Sequence, residues 1–153
     1  MGGTVSVQKP VLNTILARLR EAGYETVGPR VRGETLVYDT IGSLDDLPRG
    51  YVSMQEAGRF RLTFTGHARY FDVIPGQHSW KEYLFPPRTE LFTMHRSEDG
   101  WTVQRPEPDQ RALAFIGVRG CELAAIQIQD SAFLRPDFQD PLYRARREKV
   151  FIL

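Results

Sequence analysis

The chain has 153 residues, 41% hydrophobic and 25% charged, the proportions of one ordinary globular domain with enough apolar material for a core. Twenty Lys and Arg against nineteen Asp and Glu give a net charge of +1, so no global field draws nucleic acid or an anionic membrane surface toward it. No apolar run approaches the roughly 20 residues of a membrane helix, the start MGGTVSVQKP lacks the apolar stretch of a secretory signal, and a single cysteine excludes an internal disulfide, which together point to the cytoplasm.

From Lys9 to Tyr24, Val11, Leu12, Ile15, Leu16 and Leu19 recur at the spacing of one helical face, with Pro10 suited to the first turn and Gly23 to the end. YETVGP and GETLVYDTI then alternate polar and apolar residues on either side of a Gly/Pro turn carrying Arg30 and Arg32, which predicts a hairpin. SLDDLPRGYVSMQEAGRF is rich in turn-forming residues and reads as a surface loop. RFRLTFTG alternates strictly, with Phe60, Leu62 and Phe64 expected on a buried face, and ARYFDVIPG is expected to return antiparallel to it through Gly66 and His67.

SWKEYLFPP predicts one or two helical turns capped by Ser79 and ended by Pro86 and Pro87. TELFTMHR and GWTVQRP can pair across Ser97 to Gly100. RALAFIGV is an almost continuous apolar run, the pattern of a strand covered on both faces, and CELAAIQIQDSAFL has helical spacing. A second helix, DPLYRARREK, and a second buried strand, VFIL, complete the plan of a right-handed parallel crossover. The basic cluster Arg144, Arg146, Arg147 and Lys149 on that helix reads as a solvated face. The expected fold class is therefore α+β (mixed α/β): an N-terminal helix and antiparallel strands, then a β-α-α-β parallel crossover, in a single domain over residues 1–153. Because the chain ends inside what reads as a core strand, it is expected to be the N-terminal part of a longer protein.

The segment GVRGCE places Gly117, Arg119, Gly120, Cys121 and Glu122 between that strand and that helix, where ligands commonly bind in open α/β sheets. Glycines let the backbone approach closely, the helix N–H groups and Arg119 favour anions and the thiolate of Cys121, and Glu122 opposes that while suiting a first helical turn. Three readings stand at this point: a small buried thiol, one ligand or gatekeeper of a redox centre completed elsewhere, or a nucleophile. His67, His78 and His95 show no spacing that singles out a general base, no set of Cys and His residues has zinc-site spacing, and an iron–sulfur cluster takes about four thiolates, so no metal site is complete in this chain. The two glycines lack the lysine of a phosphate loop.

The segments GYETVGPRVRGETLVYDTI, DDLPRGY, SWKEYLFPPRTELF, FIGVRGCELAAIQIQD and DPLYRARREKVFIL resemble, in order and spacing, the N-terminal region of iron–sulfur electron-transfer subunits such as the beta subunits of sulfhydrogenases and their counterparts in anaerobic sulfite reductases. The resemblance runs from about Val11 to the end, and its most specific parts are KEYLFPP and GVRGC. In that family a further part follows, carrying ferredoxin-like cysteine sets that bind [4Fe–4S] clusters. This chain departs from the family at the corner, having Gly120 and Glu122 where proline and aspartate are usual.

The resemblance implies a scaffold and docking domain with no catalytic residue of its own and no cofactor in these residues. Its partners would be the flavin-bearing and catalytic subunits of a cytoplasmic redox complex, with no nucleic acid and no membrane span. Arg119, Cys121 and Glu122 would be cluster-proximal, Cys121 being one ligand at most, while Trp80, Lys81, Phe85 and Pro86 would form an interface. Two rival readings are a nucleic-acid module with a winged-helix-like start, using Arg30 and Arg32 on phosphates, and a small enzyme using the Cys121 thiolate.

Overall fold

The apolar stripe of the first segment closes into helix α1 (Val11–Glu21), which buries Leu16 completely. Its end is a Schellman turn, with the Gly23 N–H on Arg20 O and the Tyr24 N–H on Leu19 O. Gly23 adopts φ +87°, a left-handed conformation that a side chain would resist, which stops the helix and launches a strand. The computed structural model describes residues 8–74, 76, 78–98, 100–107, 109 and 111–153, so the first seven residues of the start MGGTVSVQKP lie outside them.

Strands β1 (Glu25–Arg32) and β2 (Thr35–Thr40) form the expected hairpin in the register Val27↔Thr40 to Arg32↔Thr35. The turn, however, sits at Gly33 and Glu34, and the strand runs straight through Gly28 and Pro29. The reason is that β1 has a neighbour on its other side only from Glu25 to Val27, so beyond Val27 a proline without an N–H removes no ladder bond.

The next segment is not the expected loop. After a 3₁₀ turn (Leu44–Asp46), β3 (Tyr51–Glu56) pairs with β4 (Arg59–Phe64), joined by Ala57 and Gly58. The partner of RFRLTF thus comes from upstream, through a two-residue connection that sets the register. Of the segment expected to return, residues 69–74 run beside β3 instead, where Arg69 O accepts the Gly50 N–H at 2.8 Å and Asp72 O the Ser53 N–H at 3.4 Å. Nor is the Phe60, Leu62, Phe64 face buried: Phe64 is 65% exposed.

Helix α2 (Lys81–Leu84) is a single turn that stops before Pro86. Ser79 gives it only a backbone carbonyl, accepting from Glu82 N–H, and no side chain caps it. Strands β5 (Thr93–Ser97) and β6 (Gly100–Gln104) form the expected hairpin. Then follow β7 (Leu113–Phe115), α3 (Gly120–Phe133), a small unforeseen hairpin β8 (Leu134–Arg135) and β9 (Phe138–Gln139), α4 (Pro141–Arg147) and β10 (Val150–Ile152).

The central sheet has the order β10-β7-β1-β2, with β10, β7 and β1 parallel and β2 antiparallel. The fold is mixed α+β, and the β7-α3-α4-β10 crossover is the one expected. Alternation along β7 divides the core into two layers. Leu113 and Phe115 join Val27, Trp80, Leu84, Ile126 and Tyr143 beneath α2, α3 and α4, whereas Ala114 and Ile116 join Leu16, Ile41, Leu44 and Leu47 beneath α1. Strand β10 lies at the sheet edge and is not the buried strand expected: Phe151 is 41% and Leu153 44% exposed.

The α4 arginines are only partly a solvated face. Arg147 bridges to Asp130 of α3 at 3.0 Å, and the Tyr143 hydroxyl donates to the same carboxylate at 2.7 Å, which fastens the two crossover helices together. Phe115 is fully buried and stacked on Trp80 at 4.4 Å, so Phe115→Ala lowers unfolding stability by about 3–5 kcal/mol. Ile128→Ala, at a position 69% exposed, stays within about 0.5 kcal/mol in the same urea titration.

Candidate functional site at the corner between β7 and α3

The corner is built from the turn that lifts the chain off β7. Gly117 takes φ +79°, and a Cβ there would lie 2.5 Å from Phe71 Cε1, so both the backbone conformation and the packing require glycine. The Gly117 and Val118 N–H groups donate to Leu153 O at 2.8 and 3.3 Å. The end of β10 is thereby held against the start of α3.

The sequence-derived residues of this corner do come together, with distinct tasks. Glu122 is half-buried and is the acid of a helix start: its Oε2 accepts the Arg119 N–H at 2.9 Å, and its Oε1 accepts the Tyr38 hydroxyl from β2. The Arg119 guanidinium, a donor only, reaches Phe71 O at 3.4 Å. Cys121 is exposed, which corrects the reading of a small buried thiol. It sits in the first turn of α3, where short helical residues on the outer face meet solvent.

Trp80 corrects the interface reading of its segment. It is 2% exposed, stacked on Phe115 and packed at 4.1 Å against Tyr38, so it is core. Its Nε1 has no hydrogen-bond partner among the described residues, and it lines a cavity of about 140 Å³ with Ser79, Lys81, Glu122 and Gln129. Phe85 is half-buried and stacks on Phe133 of α3 at 4.6 Å, Pro86 is half-buried, and Lys81 is exposed.

Sequence reasoning missed Tyr38, Phe71 and Leu153 as members of this site. Tyr38 lies 84 residues from Glu122, and no local pattern encodes a contact at that separation. Phe71 and Leu153 also line a groove of about 540 Å³ with Leu12, Ile15, Leu44 and Tyr70, so the corner opens onto a largely apolar trough. Lys9, Arg69 and Asp72 stand along the same trough.

Burial, and then the hydrogen bond and charge of Glu122, push the ionisation of Tyr38 well above the ordinary tyrosine range. Burial and then Asp130 do the same to Tyr143, while Tyr83 is pushed up to about 12 by burial followed by the charges of Asp39 and Glu25. Arg30 and Arg32, the phosphate-binding candidates of the rival reading, are engaged inside the domain. Arg30 bridges to Asp46 at 2.8 Å and donates to Thr40 O, and Arg32 pairs with Asp39 across the hairpin. The Gly42 N–H, and then that of Ser43 and the charge of Arg30, hold the Asp46 carboxyl below its usual range.

No group of three or more His, Cys, Asp or Glu side chains gathers in metal-binding geometry among the described residues. None of their helices is long and apolar enough to cross a membrane. No family model, no curated protein and no solved structure matches the chain.

Two outcomes test the geometry. The three tyrosines bind their protons more tightly folded than unfolded, so their contribution to stability is intact below the unfolded value of about 10 and is lost as pH rises toward the folded values. The unfolding free energy from urea titrations therefore falls above about pH 10, by about 1.4 kcal/mol per pH unit for each tyrosine still protonated in the native state, and Tyr38→Phe removes one such contribution. Secondly, native protein takes up one iodoacetamide equivalent at Cys121 without denaturant, by intact-mass analysis. A thiol that reacts only after unfolding is not at the surface.

Proposed function

We propose that this domain is the scaffold and docking part of an iron–sulfur electron-transfer protein of a redox complex, of the kind its sequence resembles, and performs no catalysis by itself. The observation that carries this reading is the convergence at the corner. Leu153 O is held by the Gly117 and Val118 N–H groups, so a cluster-bearing part following β10, as in those subunits, would leave the domain beside exposed Cys121 and Arg119. Phe71 and Leu153 are more than 40% exposed there, and Leu123 in the next turn position of α3 is 38% exposed.

Such a surface suits the task. An apolar wall removes water from a neighbouring cluster, and backbone N–H groups and a guanidinium nearby raise its potential by stabilising added negative charge. Cys121 would serve as a cluster-side contact or as one ligand completed by the following part. Glu122, committed to the Arg119 N–H and the Tyr38 hydroxyl, would set the geometry of the corner and leave coordination to other groups. The flavin-bearing and catalytic subunits would then exchange electrons through clusters held beside this domain.

Reading the coding sequence past codon 153 in frame tests this directly. Two closely spaced cysteine sets of the C-x-x-C-x-x-C-x-x-x-C kind are expected, and the extended protein should bind iron and inorganic sulfide, with Cys121→Ser shifting the reduction potential of one cluster. An immediate stop codon, or an extended chain that binds no iron, overturns the proposal.

A further inference from the structure

The hairpin β5–β6 stands off the central sheet and carries an apolar face that nothing in the described chain covers. Cross-strand partners share a face, so Met94 and Val103 lie together, as do Arg96 and Trp101 one step nearer the tip. Trp101 is 64% exposed, Val103 57% and Met94 49%. Arg96 lies over the Trp101 ring at 6.0 Å and forms no ion pair among the described residues. The tip therefore presents a large aromatic plate with a cation on it.

At the base of the same hairpin is a groove of about 510 Å³. Leu91, Phe92, Pro106 and Leu142 form its walls, and two carboxylates, Glu90 and Glu107, and one guanidinium, Arg105, stand along it. An apolar slot in which two acids outnumber one arginine suits an indole carrying a guanidinium, and Arg105 offers the indole face a cation of its own. The hairpin cannot fill its own groove. Trp101 and Arg105 are four residues apart on an extended strand, a distance of about 14 Å at roughly 3.4 Å per residue.

We propose that the chain forms a symmetric dimer through this face, the Arg96–Trp101 pair of each copy seated in the groove of the other. A two-fold axis passing near Met94 and Val103 lays the two hairpins antiparallel, so each tip covers the opposite base. The contact is isologous and closes on itself, using each groove once. Trp, Phe, Met and Arg are the side chains that dominate interface cores, and an aromatic anchor in a partly desolvated pocket is the usual hot spot.

Sedimentation velocity of the purified chain over a wide concentration range, in reducing buffer so that Cys121 cannot cross-link, is the test. A reversible species of twice 17.5 kDa is expected. Trp101→Ala weakens it by on the order of 30-fold, as loss of a hot spot does, and Arg96→Glu abolishes it. The charge-swapped chain Glu90→Arg/Glu107→Arg also fails to self-associate. Mixing it with Arg96→Glu restores a dimer, because both tip-to-groove contacts in the mixed pair are then complementary. All variants lie on exposed positions and keep the wild-type circular dichroism. A chain that stays monomeric at every concentration, a dimer indifferent to Trp101→Ala and Arg96→Glu, or a mixture that fails to recover association would each overturn the proposal.

Discussion

Strand β7 is the constraint on which the rest of the molecule depends. It contributes only Leu113 to Phe115 to the ladder, yet it is hydrogen-bonded on both edges and covered on both faces. Burial on two faces requires apolar side chains of both parities, and the Phe115–Trp80–Tyr38 stack on one side and Ala114 with Ile116 on the other meet that demand. At roughly 25 cal/mol per Å² of apolar surface, each of these aromatics contributes several kcal/mol, far more than any surface ion pair in the structure. Helices α1 and α3 are held in position because both layers are anchored on this one strand.

The corner is a consequence of that anchoring. Once β7 is pinned, the chain must leave its end over Phe71, which forces Gly117 into a left-handed turn and brings the Gly117 and Val118 N–H groups onto Leu153 O. Glu122 then closes the helix start on the Arg119 N–H and receives the Tyr38 hydroxyl from β2, which ties the start of α3 to the sheet. A carboxylate used in this way is a fixed acceptor. Cys121, one position earlier, is left facing solvent.

The three hairpins outside the central sheet follow a different logic. Isolated two-stranded ribbons are marginal in water, and each here leaves aromatic or aliphatic side chains exposed: Phe64 on β4, Trp101 and Val103 on β6, Phe138 on β9. Among the described residues, β3–β4 has a neighbouring segment, residues 69–74, along its edge. The apolar material that a larger sheet would have buried is therefore on the outside, where another protein surface can use it.

Local pattern determined a good part of this fold. The helical stripe of α1, the strong alternation of β4, the apolar run of β7 and the helical spacing of α3 and α4 each carry their structure in neighbouring residues, and the β-α-α-β order implies a parallel pairing because a crossover of that length permits it. The glycine corner with Arg119, Cys121 and Glu122 was legible for the same reason. What only the tertiary structure decided involves partners distant in sequence: that β1 pairs with β7, that β4 takes β3 and leaves residues 68–74 out of its ladder, that Trp80 is core, and that Tyr38, Phe71 and Leu153 complete the corner. Exposure of Phe60 and Phe64 belongs here too, since alternation shows that two faces differ but not whether anything exists to cover one of them. Burial is a property of what the rest of the chain leaves available, and no stretch of sequence contains that by itself.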